Sequence, residues 1–330
     1  MIKWESLQSA KVVADLLEKG ITLRYSEVPF ETGGQKFDRG SIIVVKTSNH
    51  AFGTSLWKHV ADAANAANVK TYPIATGFVD AGGDLGSDLV SPFKFKNVVL
   101  LTGEGVNGNA AGEIWHFFDK QLQYPVSLVY ANDISRINWQ KTDVIIMPDG
   151  NYRFMVDKTS TDQLKDWVNK GGKLIALEGA AAAFTKLDWG LKSKKTEEAS
   201  SKDPYDPLRS FENRERDYVR SITPGSIYKV ELDNTHPLAF GYPNYYYTLK
   251  MDDNIFDFFN NNGWNVGVIK KEGQLAGFVG SKLKDRLKDG LLFGAQNIGR
   301  GSVVYITDNI MFRNFWENGK LMLCNAVFFN

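Results

Sequence analysis

Residues Leu164-Lys-Asp-Trp-Val-Asn-Lys-Gly-Gly-Lys-Leu-Ile-Ala-Leu-Glu-Gly-Ala180 decide the fold. Leu164, Trp167 and Val168 recur at helical spacing, and Gly171-Gly172 stop the helix. Lys173–Leu177 then reads as a short strand, and Glu178-Gly179-Ala180-Ala181-Ala182 as a sharp turn. Ser160 and Gln163 have capping-box spacing at the helix start. Upstream, Asp143–Met147 is another apolar run, closed by Pro148-Asp149-Gly150. Before it come the apolar run Val98–Leu101, the turn Gly103–Gly108, a helix with Ile114, Phe117, Phe118 and Leu122 on one side, and a strand at Val126–Tyr130. Apolar strands alternating with helices predict an α/β fold built on a doubly wound parallel sheet.

Outward from this block the chain divides. Residues 1–92 read as a small α/β domain. They hold a helix with Val12, Val13, Leu16 and Leu17 in one stripe, strands at Leu23–Val28 and Ser41–Lys46, a helix over Thr54–Ala67 and a strand at Lys70–Ile74. Gly77–Pro92 reads as a linker or crossing loop. Residues 93–330 form the larger domain, with a long polar insertion at 186–221. Strand signals return at Ser226–Leu232, Asn265–Val268, Gly277–Val279, Gly290–Phe293 and Ser302–Thr307, and Lys320–Phe328 predicts a buried helix.

Lys and Arg total 39 against 38 Asp and Glu, so no long-range field recruits nucleic acid or an anionic membrane. No apolar run is long enough to span a bilayer. Residues 1–20 carry six charged side chains, Lys3, Glu5, Lys11, Asp15, Glu18 and Lys19, and read as an amphipathic helix rather than a signal peptide. The single cysteine, Cys324, can form neither an internal disulfide nor a cysteine zinc site. No cofactor is expected.

The helix, double glycine, strand and turn of Leu164–Ala180 resemble class I glutamine amidotransferase-like, flavodoxin-like domains, whose catalytic members carry a cysteine in that turn. No position from Leu177 to Ala183 is Cys or Ser, and acyl transfer from glutamine needs such a nucleophile. Three further segments are similar to the C-terminal region of Bacteroidetes-type zinc carboxypeptidase-like proteins: Gly77-Phe-Val-Asp-Ala-Gly-Gly-Asp-Leu-Gly-Ser87, Thr235-His-Pro-Leu-Ala-Phe-Gly-Tyr242 and Gly299–Trp316. That resemblance implies a secreted or periplasmic parent with a peptidase domain. The zinc ligands are not in this chain, since Gly53, Asp62, Asp119 and Ala239 stand three residues after the four histidines.

Candidate site residues follow from the strand ends, where open α/β sheets bind ligands. Gly103, Glu104, Gly105 and Asn107 form a turn between strand and helix, either an anion cradle or a plain tight turn. No acidic residue ends the next strand, as dinucleotide binding would require. Asp149 and Tyr152 follow the third strand, Glu178 occupies the turn, and Arg313 follows the last strand. Glu113, His116 and Asp119 lie on one helix and read as its polar face rather than a metal site. The expected function is a non-catalytic accessory module that binds a peptide or glycan, or another small molecule, or packs on the peptidase domain. The alternative is a hydrolase using Glu104 and Glu178. That alternative fails if the two carboxyls point into salt bridges and gains if they share an open pocket.

Overall fold

The computed structural model describes residues 1–194, 208 and 210–329. The chain begins with α1 (Leu7–Glu18), capped by the Ser6 hydroxyl, which accepts the Ser9 N–H at 3.3 Å. Its stripe of Val12, Val13, Leu16 and Leu17 is buried. β1 (Leu23–Ser26) leads through a hairpin, β2 (Phe30–Thr32) and β3 (Gln35–Phe37), to β4 (Ile42–Val44). The interval between the two expected strands, Leu23–Val28 and Ser41–Lys46, thus holds two further short strands. α2 (Leu56–Ala66) follows. The expected strand at Lys70–Ile74 does not form, and only Thr71 bridges Ile2. Instead the end of the expected linker is β5 (Val90–Phe93), which pairs with β1. Pro92 conceals this strand in the sequence, yet it is tolerated because β5 is the edge of the sheet β4-β1-β5.

The main sheet starts at β6 (Val98–Thr102), α3 (Gly108–His116) and β7 (Val126–Tyr130). It continues through β8 (Val144–Met147), α4 (Lys158–Asn169), β9 (Lys173–Leu177) and the short α5 (Gly179–Ala183). Asp157, not Ser160, caps α4: its carboxylate accepts both the Ser160 N–H at 2.9 Å and the Ser160 hydroxyl at 2.6 Å. A charged acceptor one position before the helix is the stronger cap. Residues 195–207 and 209 of the expected insertion lie outside the described residues, while Arg214–Val219 forms α6. Then come β10 (Gly225–Leu232), β11 (Tyr245–Lys250), β12 (Trp264–Ile269), β13 (Gln274–Phe278), α7 (Ser281–Leu287), β14 (Gly290–Ile298), β15 (Gly301–Ile306) and α8 (Glu317–Phe328).

The sheet is mixed, not wholly parallel. Strands β7-β6-β8-β9-β15 run parallel, in the order 2-1-3-4-5 of flavodoxin-like sheets. Beyond β15, strands β14, β12, β10 and β11 are antiparallel, and β13 also pairs with β10. Only Gly299 and Arg300 separate β14 from β15, and so short a connection can make only a hairpin.

One face of the sheet packs on α8 and the N-terminal unit, the other on α4 and α5. Residues Gly319–Phe328 of α8 are all buried, because the helix is covered by the sheet on one side and by α1 on the other. Trp4 packs edge-on against Phe329 at 5.0 Å and donates its indole N–H to Asn325 Oδ1 at 2.7 Å. Asn325 in turn donates to the carbonyls of Leu238 and Phe240, at 3.0 and 2.8 Å.

Candidate functional site

The strand order reverses between β6 and β8, and there such sheets open a crevice at their carboxyl ends. Here the two loops that border it are tied to each other. The Asn107 N–H donates to the Asp149 carbonyl at 2.8 Å, and the Asn151 N–H to the Gly105 carbonyl at 2.7 Å. Gly105 has φ +87°, and a Cβ there would stand 2.5 Å from the Asn151 carbonyl oxygen. A Cβ on Gly103 would meet the Tyr130 ring at 2.5 Å. Gly105 therefore answers to close main-chain packing and Gly103 to the Tyr130 ring. Asn107 caps α3 by accepting the Asn109 N–H at 3.0 Å, and its Nδ2 donates to Asp149 Oδ2 at 3.0 Å.

At the end of β9, Glu178 occupies the bend with φ +49° and ψ −120°, a conformation that L-residues seldom adopt. Its N–H donates to the Ile306 carbonyl at 2.7 Å, which fixes the bend against β15. The next N–H, of Gly179, donates to Asp149 Oδ1 at 3.0 Å. Ala180 and Ala181 are fully buried beneath. Burial pushes the Glu178 carboxyl up to about 8, and Asp149, Asp252, Asp308 and Glu113 add to the push. Glu178 is thus mostly protonated at neutral pH and able to donate a hydrogen bond.

Behind this edge lies a fully buried ion pair that sequence reasoning missed. Lys250 Nζ lies 2.7 Å from Asp308 Oδ1 and 2.6 Å from Asp252 Oδ1, and Thr248 donates to Asp308 Oδ2 at 2.5 Å. Burial works to lower the pKa of the Lys250 ammonium, but Asp308 and Asp252 outweigh it, and the group stays charged. The signal was the period of two in Tyr246, Thr248 and Lys250, whose side chains all point inward from β11.

The other sequence candidates divide. Asn107, Asp149, Gly105 and Glu178 meet around the bend. Glu104 does not join them: it is exposed, lies 2.8 Å from Arg153 and accepts from Asn132 at 3.3 Å. Tyr152 is buried and donates its hydroxyl to the Pro148 carbonyl at 2.7 Å. Arg313 has φ +50°; its N–H donates to Glu113 Oε1 at 2.7 Å and its guanidinium lies over Phe312. Glu113 also accepts from Asn309 at 3.1 Å, and His116 bonds Asn314, so this helix face clasps the loop after β15. Among the described residues no group of His, Cys, Asp and Glu has metal-binding geometry. Cys324 is not at the bend; it is buried within α8, where burial pushes its thiol pKa up.

No family model matches the sequence, and no curated protein is similar to it. Among solved structures, a ThuA-like protein from Bacteroides uniformis is 14% identical at a TM-score of 0.45, over 70% of this chain and 89% of that one. A GMP synthase component from Thermoplasma acidophilum is 8% identical at a TM-score of 0.44, over 70% and 92% of the two chains. A β-galactosidase from Bacillus circulans is 10% identical at a TM-score of 0.42, over 70% of this chain and 30% of that one. None of the three is a zinc carboxypeptidase. At this similarity the fold rests on the strand order described above, and nothing of the neighbours' chemistry transfers.

Proposed function

We propose that this chain is a non-catalytic binding module that takes a peptide or glycan at the carboxyl edge of its parallel strands, and that it serves as an accessory to a peptidase domain. One observation carries the non-catalytic reading. At the bend where acyl-transfer chemistry needs a nucleophile and a free N–H donor, there stand the Glu178 carboxyl and a Gly179 N–H already bonded to Asp149. A developing oxyanion would have to displace a carboxylate to reach that N–H. The acidic groups near Glu178 are held by Lys250, Asn107, Gly179, Asn309 and Arg313, so Glu178 itself, part-exposed and protonated, is the group offered to a ligand. It can donate and accept hydrogen bonds, which suits the N–H, O–H and C=O groups of peptides and glycans.

The carboxylate-hydrolase reading has one feature in its favour, a Glu178 raised into the range of a general acid. Against it, Glu104 is held by Arg153, which leaves Glu178 without its expected partner. Incubation with glutamine, with peptides and with aryl glycosides, followed by product analysis, separates the readings. The expected outcome is no turnover above buffer and thermal stabilisation by a peptide or glycan. Turnover that disappears in Glu178→Gln would establish the hydrolase instead.

A further inference from the structure

At the opposite, amino edge of the sheet lies a cavity of about 340 Å³, a volume within the range of small-ligand pockets. It is separated from Glu178 by the length of β9, about 16 Å. The strand register builds its floor. Asn297 of β14 pairs with Ser302 of β15, which pairs with Lys173 of β9, so three polar side chains stand in a row on adjacent strands. Alternation puts Lys173 on the same face as Ile175 and Leu177, the face covered by α8. Phe329 and Trp264 supply apolar wall, and His236 completes the lining.

The polar groups here are donors with little to donate to. Lys173 is buried; its ammonium donates to the Phe329 carbonyl and has no carboxylate in ion-pair range among the described residues. Burial pushes it down to about 7, and Lys96 adds to the push. The Asn297 carboxamide and the Ser302 hydroxyl make no side-chain hydrogen bond among the described residues. His236 Nδ1 accepts the Leu238 N–H at 3.1 Å, which places the proton of the neutral ring on Nε2. Burial holds that ring neutral by lowering it to about 4, so it is a hydrogen-bond donor and not a second cation. The Trp264 ring lies 6.3 Å from the imidazole and is more than half exposed. The one carboxylate in the lining, Asp233, already accepts from the Thr235 N–H and hydroxyl, at 3.0 and 2.6 Å.

We propose that this cavity is a second binding site, and that it takes a small organic carboxylate with a flat apolar body. The carboxylate would meet the Lys173 ammonium, with Ser302, Asn297 and His236 Nε2–H as further donors, and the apolar body would lie against Trp264. A phosphate dianion suits the cavity less well, because the lining offers one buried cation, a neutral imidazole and a nearby carboxylate.

Calorimetric titration of the full chain with benzoate, and with benzamide as its neutral isostere, tests this. Benzoate is expected to bind with a Kd below about 10 mM, and benzamide at least about tenfold more weakly, as loss of a charge-assisted pair implies. Lys173→Met, checked for folding by its melting curve, is expected to lose the preference for benzoate. Trp264→Ala changes a largely exposed residue and should weaken both probes without erasing that preference. Equal binding of benzoate and benzamide, unchanged titration by Lys173→Met, or no benzoate binding at about 10 mM would each overturn the proposal.

Discussion

Glu178 carries two destabilising features in one residue, a left-handed backbone and a carboxyl held from water. The folded chain keeps the Glu178 proton to about pH 8, whereas an unfolded chain releases it near the ordinary 4.5. Between those values the folded state binds more protons, so its stability falls as pH rises, by at most about 1.4 kcal/mol per unit. Below pH 4.5 the effect is absent. In urea titrations from pH 4 to 9, Glu178→Gln is expected to flatten this part of the profile. Glu178→Gly should relieve the backbone as well and raise stability by about 1–3 kcal/mol. Gly105→Ala should do the reverse, losing about 2 kcal/mol or more, because the new methyl meets the Asn151 carbonyl and φ is +87°. That a carboxyl stands at the bend was legible, since the bend directly follows a buried strand. That Asp149 occupies the next N–H was not, because 30 residues separate the partners.

Among the elements, β11 shows how a strand hides. Tyr245-Tyr246-Tyr247 reads as an aromatic-rich stretch with no strand signal, yet β11 turns Tyr246, Thr248 and Lys250 inward. Its lysine is buried only because Asp308, 58 residues away, is buried with it. Lys250→Met should therefore strand a buried carboxylate and lower stability by about 3–5 kcal/mol in urea unfolding. The double variant Lys250→Met/Asp308→Leu is expected to recover most of that loss, because no unpaired charge remains. Two strand ranges were legible to the residue: Val126–Tyr130 and Lys173–Leu177 match β7 and β9 at both ends, although β7 is an edge strand that leaves Leu128 and Tyr130 exposed. Strand direction was not, since hydrophobicity marks burial, while connection length and pairing decide parallel or antiparallel.

At the scale of the molecule, contacts cross the boundary expected at residue 92. Asn325 joins Trp4 of the N-terminal segment to the carbonyls of Leu238 and Phe240 through one carboxamide. Asn325→Leu would leave all three partners buried and unsatisfied, at about 1–3 kcal/mol each before relaxation. The expected result is a lowered melting temperature with one transition seen by both tryptophan fluorescence and circular dichroism. Two separated transitions would instead support an independently folding unit at 1–92. Four of the five parallel strands, β6 to β9, were legible from alternation, but the pairing of β15 with β9 and the union with the first ninety residues were not. That union runs through α8, whose burial on every side leaves no polar stripe to show which neighbours cover it.

The position of α8 in the chain also sets an order on biosynthesis. The helix that fills the space between the sheet and the first unit is translated after every strand it covers. Until residue 329 has left the ribosome, Trp4, Tyr25 and Phe93 lack Phe329 to pack against, and Phe93 also waits for Phe328. The nascent polypeptide must therefore carry these apolar surfaces uncovered until α8 emerges, and chaperones can reach them in that interval.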